Sequence, residues 1–159
     1  MRMKHSRFMK QFDRYVIVHI RSISMPLARI ALFVIFFWFG ALKLVYVSPA
    51  NPMVSDLLHR TLPFLTFAHF IFVLGLWEMA IGICFLVPRM ERLAIALLLP
   101  HMVTTFMPLV LLPALTWQGF LMPTLEGQYI IKNLVIIALA LAVAAQMQPW
   151  MAERKQKSR

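Results

Sequence analysis

The sequence predicts an all-α polytopic membrane protein, a bundle of four transmembrane helices with both termini on the cytoplasmic side. Of the 159 residues, 61% are hydrophobic and only 14% charged, whereas a soluble domain carries about half and roughly a quarter. The mean hydropathy is +0.76. The apolar residues gather in four runs, at about 27–47, 64–87, 93–115 and 128–146. Each is close to the ~20 residues a helix needs to cross ~30 Å of hydrocarbon. A segment in lipid must satisfy its own backbone polar groups, so these runs are helices and not strands.

Residues 1–25 form a basic segment ahead of the first span. Phe8, Phe12, Tyr15, Val16, Ile20 and Ile23 recur at helical spacing, with Arg7, Lys10, Arg14 and Arg21 elsewhere on the wheel. Such a segment is expected to lie as an amphipathic helix in the inner interface, against anionic lipid. His5 and His19 within it are expected at the surface. Pro26 then stands just before the first span, where its missing N–H costs nothing. That span is too long for a signal-peptide core and no small-residue cleavage site follows Val47, so it is expected to be retained.

The loop from Ser48 to Pro63 has three prolines and suggests a short interfacial helix over Val54–Thr61, capped by Ser55. The second span stops at "VPR", Val87–Arg89. The third contains Pro100, Pro108 and Pro113, which are expected to kink it without ending it. Thr124 is a good cap for the fourth span, with Glu126 in the first turn complementing the dipole. Residues 26–147 thus form one membrane domain, and 148–159 a basic tail.

Charge sets the expected orientation. The formal net charge is +10, and basic residues cluster before the first span, after the last, and at Arg89 and Arg92 between the second and third. The two other links contain Arg60 as their only Lys or Arg. Positive residues mark the cytoplasmic side, so both termini and the middle link are expected inside. Nucleic acid is a poor partner for charge laid out in this way. Cys84 is the single cysteine, which leaves no CxxC pair and no thiolate cluster, and no metal site is expected. Two histidines on separate spans carry little haem signal.

The informative residues are the polar ones that lie in apolar runs, because a charge near the bilayer centre costs ~3 kcal/mol or more. They are Lys43, Glu78, His101 and Lys132, with Asn133 beside Lys132. Glu78 cannot snorkel, and its own helix face carries Gly75 and Gly82, which would let a neighbouring helix approach closely. It therefore points into the bundle, either protonated or paired with Lys132 or a protonated His101. Lys43 reads as a snorkelling side chain near the outer end of its span, whereas Lys132 is deeper and reads less readily as one. His101 reads as a neutral imidazole bonded to a neighbouring carbonyl, such as one freed by a proline, before a proton or ligand role. His69 reads the same way, and cannot share a face with Glu78 nine residues on.

Three stretches resemble a known family. "ARIALFVIFFWFGALK" (Ala28–Lys43), "GLWEMAIGICFLVPRMERLA" (from Gly75) and "PTLEGQYIIKNLVIIALA" (Pro123–Ala140) look like the first, second and last spans of the DoxX family. Arg29, Gly40, Lys43, Glu78, Lys132 and Asn133 fall within these stretches. The resemblance implies a small four-helix protein of the bacterial inner membrane, working as a membrane subunit in quinone-dependent sulfur oxidation or in oxidative-stress and thiol-homeostasis complexes. It implies an oxidoreductase partner and no redox centre in the chain itself, with a quinone as the one cofactor in view. The residues alone also allow a non-catalytic scaffold whose buried charges lock the bundle, and, less readily, a small transporter. Homo-oligomerisation is open on either reading.

Overall fold

The computed structural model describes residues 2–147, with side chains described from Met9 onward. The basic tail expected at 148–159 lies outside the described residues. The fold is almost wholly helical, and four of its helices are long and apolar enough to cross a membrane: the Met9–Leu44 part of the first, Phe67–Leu86, Glu91–Leu111 and Leu125–Ala144.

The first helix, α1 (Arg2–Leu44), runs without interruption through Pro26. The sequence placed Pro26 at a helix start, with a separate interfacial helix before it. The backbone instead carries the helix through, at the cost of one lost N–H donor. Just ahead of the proline, the Ser22 and Ser24 hydroxyls donate to the His19 and Arg21 carbonyls, back-bonding that commonly accompanies bent or relaxed helical turns. α1 ends in a left-handed residue, Tyr46 at φ 60°. Val47 N–H returns to Leu42 O at 3.1 Å and Tyr46 N–H to Lys43 O at 3.1 Å, the paired bonds of a Schellman end.

The helix α2 in the first loop spans Asn51–Thr61, longer than the expected Val54–Thr61. Pro52 in its first turn supplies the start, so Ser55 is interior and caps nothing. The Arg60 guanidinium donates to the Leu111 carbonyl, tying α2 to the far end of the third span. α3 covers Phe67–Leu86 and α4 Glu91–Phe106, joined by a tight turn in which Arg89 takes φ 72°.

Pro100 lies inside α4 without ending it, as expected. Pro108 opens a short continuation, α5 (Pro108–Leu111). The chain leaves the helical path at Leu112, and Pro113 opens a separate turn, α6 (Pro113–Thr116). The third span thus stops near Leu111 and not at 115. A small antiparallel hairpin follows, β1 (Trp117–Gly119) with β2 (Met122–Pro123). α7 (Leu125–Ala144) begins as foreseen: Thr124 Oγ1 accepts from Gly127 N–H at 3.1 Å.

Around the bundle α1 packs on α3, α3 on α4, α4 on α7, and α7 back on α1. The buried positions follow helical stripes: Ala28, Leu32, Phe36 and Lys43 on α1; Ile71, Gly75, Glu78, Gly82 and Phe85 on α3; Ala94, Leu98 and His101 on α4. Steps of three and four keep each stripe on one face. The core joins Leu32, Phe36, Ile81, Phe85, Leu98 and Val143.

Candidate functional site: a buried charge cluster across three helices

The α1–α3 contact is made by glycine. A Cβ on Gly40 would lie 2.6 Å from the Gly75 carbonyl oxygen, and one on Gly75 would lie 2.8 Å from the Gly40 carbonyl oxygen. Two turns further along α3, a Cβ on Gly82 would meet Phe37 N at 2.9 Å. The two backbones therefore touch along a seam that no side chain could enter, as expected for the Gly75 and Gly82 face. Gly40 is its counterpart on α1.

This seam brings Lys43 beside Gly75, with the Lys43 Cβ 3.2 Å from where a Gly75 Cβ would stand. Side chains on a helix lean toward its N-terminus. From the last turn of α1 the lysine stem therefore leans back into the span, away from the near interface. Its Nζ donates to Glu78 Oε2 at 2.6 Å. Lys43 does not snorkel; it is 5% exposed.

The other oxygen of Glu78 is engaged from α4. His101 Nε2 lies 2.9 Å from Oε1, and Glu78 and His101 are 7% and 5% exposed. The second ring nitrogen, Nδ1, lies 3.4 Å from Thr105 Oγ1. His101 thus bonds side chains through both nitrogens, where a carbonyl partner was expected. Its ring is held edge-on by Phe36, with centroids 5.6 Å apart, and by Trp77 at 5.8 Å. Trp77 is fixed in turn by its indole N–H, which donates to Leu97 O at 3.1 Å. Both carboxylate oxygens are bonded, the condition under which a buried charge is tolerated.

Lys132 and Asn133 lie apart from this cluster. Lys132 is exposed, its Nζ 5.0 Å from the Tyr129 ring centroid on the same helix. Asn133 Nδ2 donates to the Tyr129 and Ile130 carbonyls of its own turn. The inward face of α7 is set by Gly127, Ile130, Ala140 and Val143. Lys132 follows Ile130 by two residues, about 200° around the wheel, which turns it outward. The Glu78 partners are Lys43 and His101 instead. His69 is exposed near the start of α3.

Arg29 has a separate structural role. Its guanidinium pairs with Glu91 at the start of α4, and so pins α1 to the α3–α4 turn. Its Nη1 is buried without a hydrogen-bond partner.

Sequence reasoning did not single out Thr105, Trp77 or Phe36. Thr105 stands four residues after His101, one helical turn away, and that spacing could have placed it. Outside the cluster, α4, α5 and α7 border an open apolar groove of about 590 Å³, lined by Leu99, Met102, Val103, Phe106, Met107 and Ile137 among others. Among the described residues no three His, Cys, Asp or Glu gather as a metal centre.

Comparison with protein-family models, with characterised proteins and with solved structures finds no match to this chain.

Proposed function

We propose that the chain is a membrane-embedded subunit of a quinone-linked redox system of the DoxX-like type, set in a bacterial inner membrane with both termini cytoplasmic. The observation that carries this reading is the Lys43–Glu78–His101 cluster, buried inside a bundle of membrane-crossing helices. Intramembrane ionisable groups mark substrate or proton pathways by default. Reduction of a quinone adds two electrons and two protons to its two carbonyl oxygens. A protein that serves it needs an apolar surface for the tail, a donor for a carbonyl, and a proton-active group at membrane depth.

The apolar surface and the ionisable cluster share one helix, α4. The groove is apolar, and Met102, which lines it, adjoins His101 in α4. His101 is held in a fixed orientation between Glu78 and Thr105. The electrons would pass to or from a partner oxidoreductase, and the order of motifs resembling DoxX spans supports that role. Redox or thiol-homeostasis work would then belong to the assembly and proton handling to this chain.

The test is saturable binding of a long-tailed quinone by the purified protein in lipid nanodiscs, for wild type and Glu78→Gln. Binding that weakens in the variant supports the reading. Absence of binding by the wild type rejects it, and equal affinity in both removes Glu78 from the site. One observation favours a second reading, a scaffold: the cluster joins α1, α3 and α4 and leaves no Glu78 oxygen free. On that reading the substitutions would cost stability and change no ligand affinity.

A further inference from the structure

The hydrogen-bond valences around His101 determine where a proton can enter the cluster. Nε2 lies 2.9 Å from Glu78 Oε1. A carboxylate oxygen and a bare ring nitrogen both only accept, so one proton must sit between them. Nδ1 faces Thr105 Oγ1 at 3.4 Å. That hydroxyl has a single hydrogen and lies 2.9 Å from the His101 carbonyl oxygen, which can only accept. If the hydroxyl donates to the carbonyl, it presents lone pairs to Nδ1, and the contact is a hydrogen bond only when Nδ1 carries a proton. If it donates to Nδ1, that nitrogen is bare, and the carbonyl keeps the Thr104 hydroxyl at 2.7 Å.

The two arrangements use the same heavy-atom positions and differ by one proton. With Lys43 as an ammonium, the cluster is singly positive in the first and neutral in the second. This holds wherever the shared proton sits between Nε2 and Oε1. No other ring contact has this freedom, because Glu78 offers no donor of its own once ionised, whereas a threonine hydroxyl can give or accept.

We propose that His101 Nδ1 is the site at which the buried cluster takes up and releases a single proton, and that the Thr105 hydroxyl turns between Nδ1 and the His101 carbonyl as it does so. The groups around the imidazole are the Phe36 ring from α1, Glu78 and Trp77 from α3, and Thr105 from its own helix, with the Lys43 ammonium beyond Glu78 and the Thr104 hydroxyl on the His101 carbonyl. The charged groups of α7, Glu126 and Lys132, are exposed. The inference deepens the reading of this cluster as proton-active and does not require the quinone.

The experiment is nitrogen-15 NMR of histidine-labelled protein in lipid nanodiscs, with no quinone added. The other four of the five histidines, His5, His19, His59 and His69, are replaced by Gln, so that the signal belongs to His101. Across the pH range in which the protein stays folded, the Nδ1 resonance should move between its protonated and unprotonated positions in one step, while Nε2 remains protonated. An Nδ1 that is fixed in either state, or an Nε2 that loses its proton first, overturns the proposal. Thr105→Val should displace the Nδ1 resonance and Thr105→Ser should restore it; an Nδ1 signal indifferent to Val removes Thr105 from the device. Because no quinone is present, failed quinone binding and a static Nδ1 are separate outcomes.

Discussion

Gly40 and Gly75 lie backbone to backbone, and that contact sets Lys43 within 2.6 Å of Glu78. The ion pair depends on two residues that carry no side chain at all. Gly40→Ala and Gly75→Ala should each push α1 and α3 apart and destabilise the protein by roughly 1–3 kcal/mol, the usual cost of overpacking. Thermal unfolding in detergent measures it. Gly119→Ala, where a Cβ would meet nothing nearer than 3.6 Å, is the control expected to change little.

Removing one member of the buried pair leaves the other charge without a partner. Lys43→Met and Glu78→Gln should each cost on the order of 3 kcal/mol. The double variant should lose less than the sum, with a coupling of roughly 1–3 kcal/mol in a double-mutant cycle. Lys132→Met, at the exposed face of α7, should leave stability within about 0.5 kcal/mol of wild type. A large loss at Lys132 would contradict the arrangement of α7.

α6 and α7 meet at one hydroxyl. Thr124 Oγ1 accepts from Gly127 N–H and donates to Leu115 O at 2.6 Å, so it caps α7 and holds the end of α6. Thr124→Ala should cost about 1 kcal/mol, and Thr124→Ser much less. Gly127→Ala should be worse than either, because a Cβ there would overlap the Thr116 carbonyl. Comparing the melting temperatures of the three variants orders these effects.

Orientation can be read with thiols. After Cys84→Ala, single cysteines placed at Arg89 and Gln118, both exposed, should react with a membrane-impermeant maleimide from opposite sides. Arg89→Cys should label only when the cytoplasmic face is open, and Gln118→Cys in intact spheroplasts. Labelling of both from one side would contradict a four-span path.

Hydropathy was enough to find the four spans, because a membrane helix declares itself by an unbroken apolar run. The position of Glu78 on the glycine face was legible for the same reason that the seam exists: small residues recur seven apart. The partner was harder. Depth along a span places Lys43 near an end and says nothing of the direction in which its stem leans, and the backward lean of helical side chains is what carries the ammonium inward. Lys132 looked deeper, yet its angle around α7 turns it outward. His101 was legible as a candidate, but its two side-chain partners depend on how α3 and α4 face one another. The hairpin at Trp117–Pro123 gave no sign, since strands of three and two residues are too short to show a period.

The unbroken passage of α1 through Pro26 has a mechanical meaning. From Met9 to Leu44 it has 36 residues and measures about 54 Å, against ~30 Å of hydrocarbon. That length exceeds a hydrocarbon core, and its last turn holds Lys43. The same helix thus carries the proline at its middle and, in its last turn, the ammonium that neutralises Glu78.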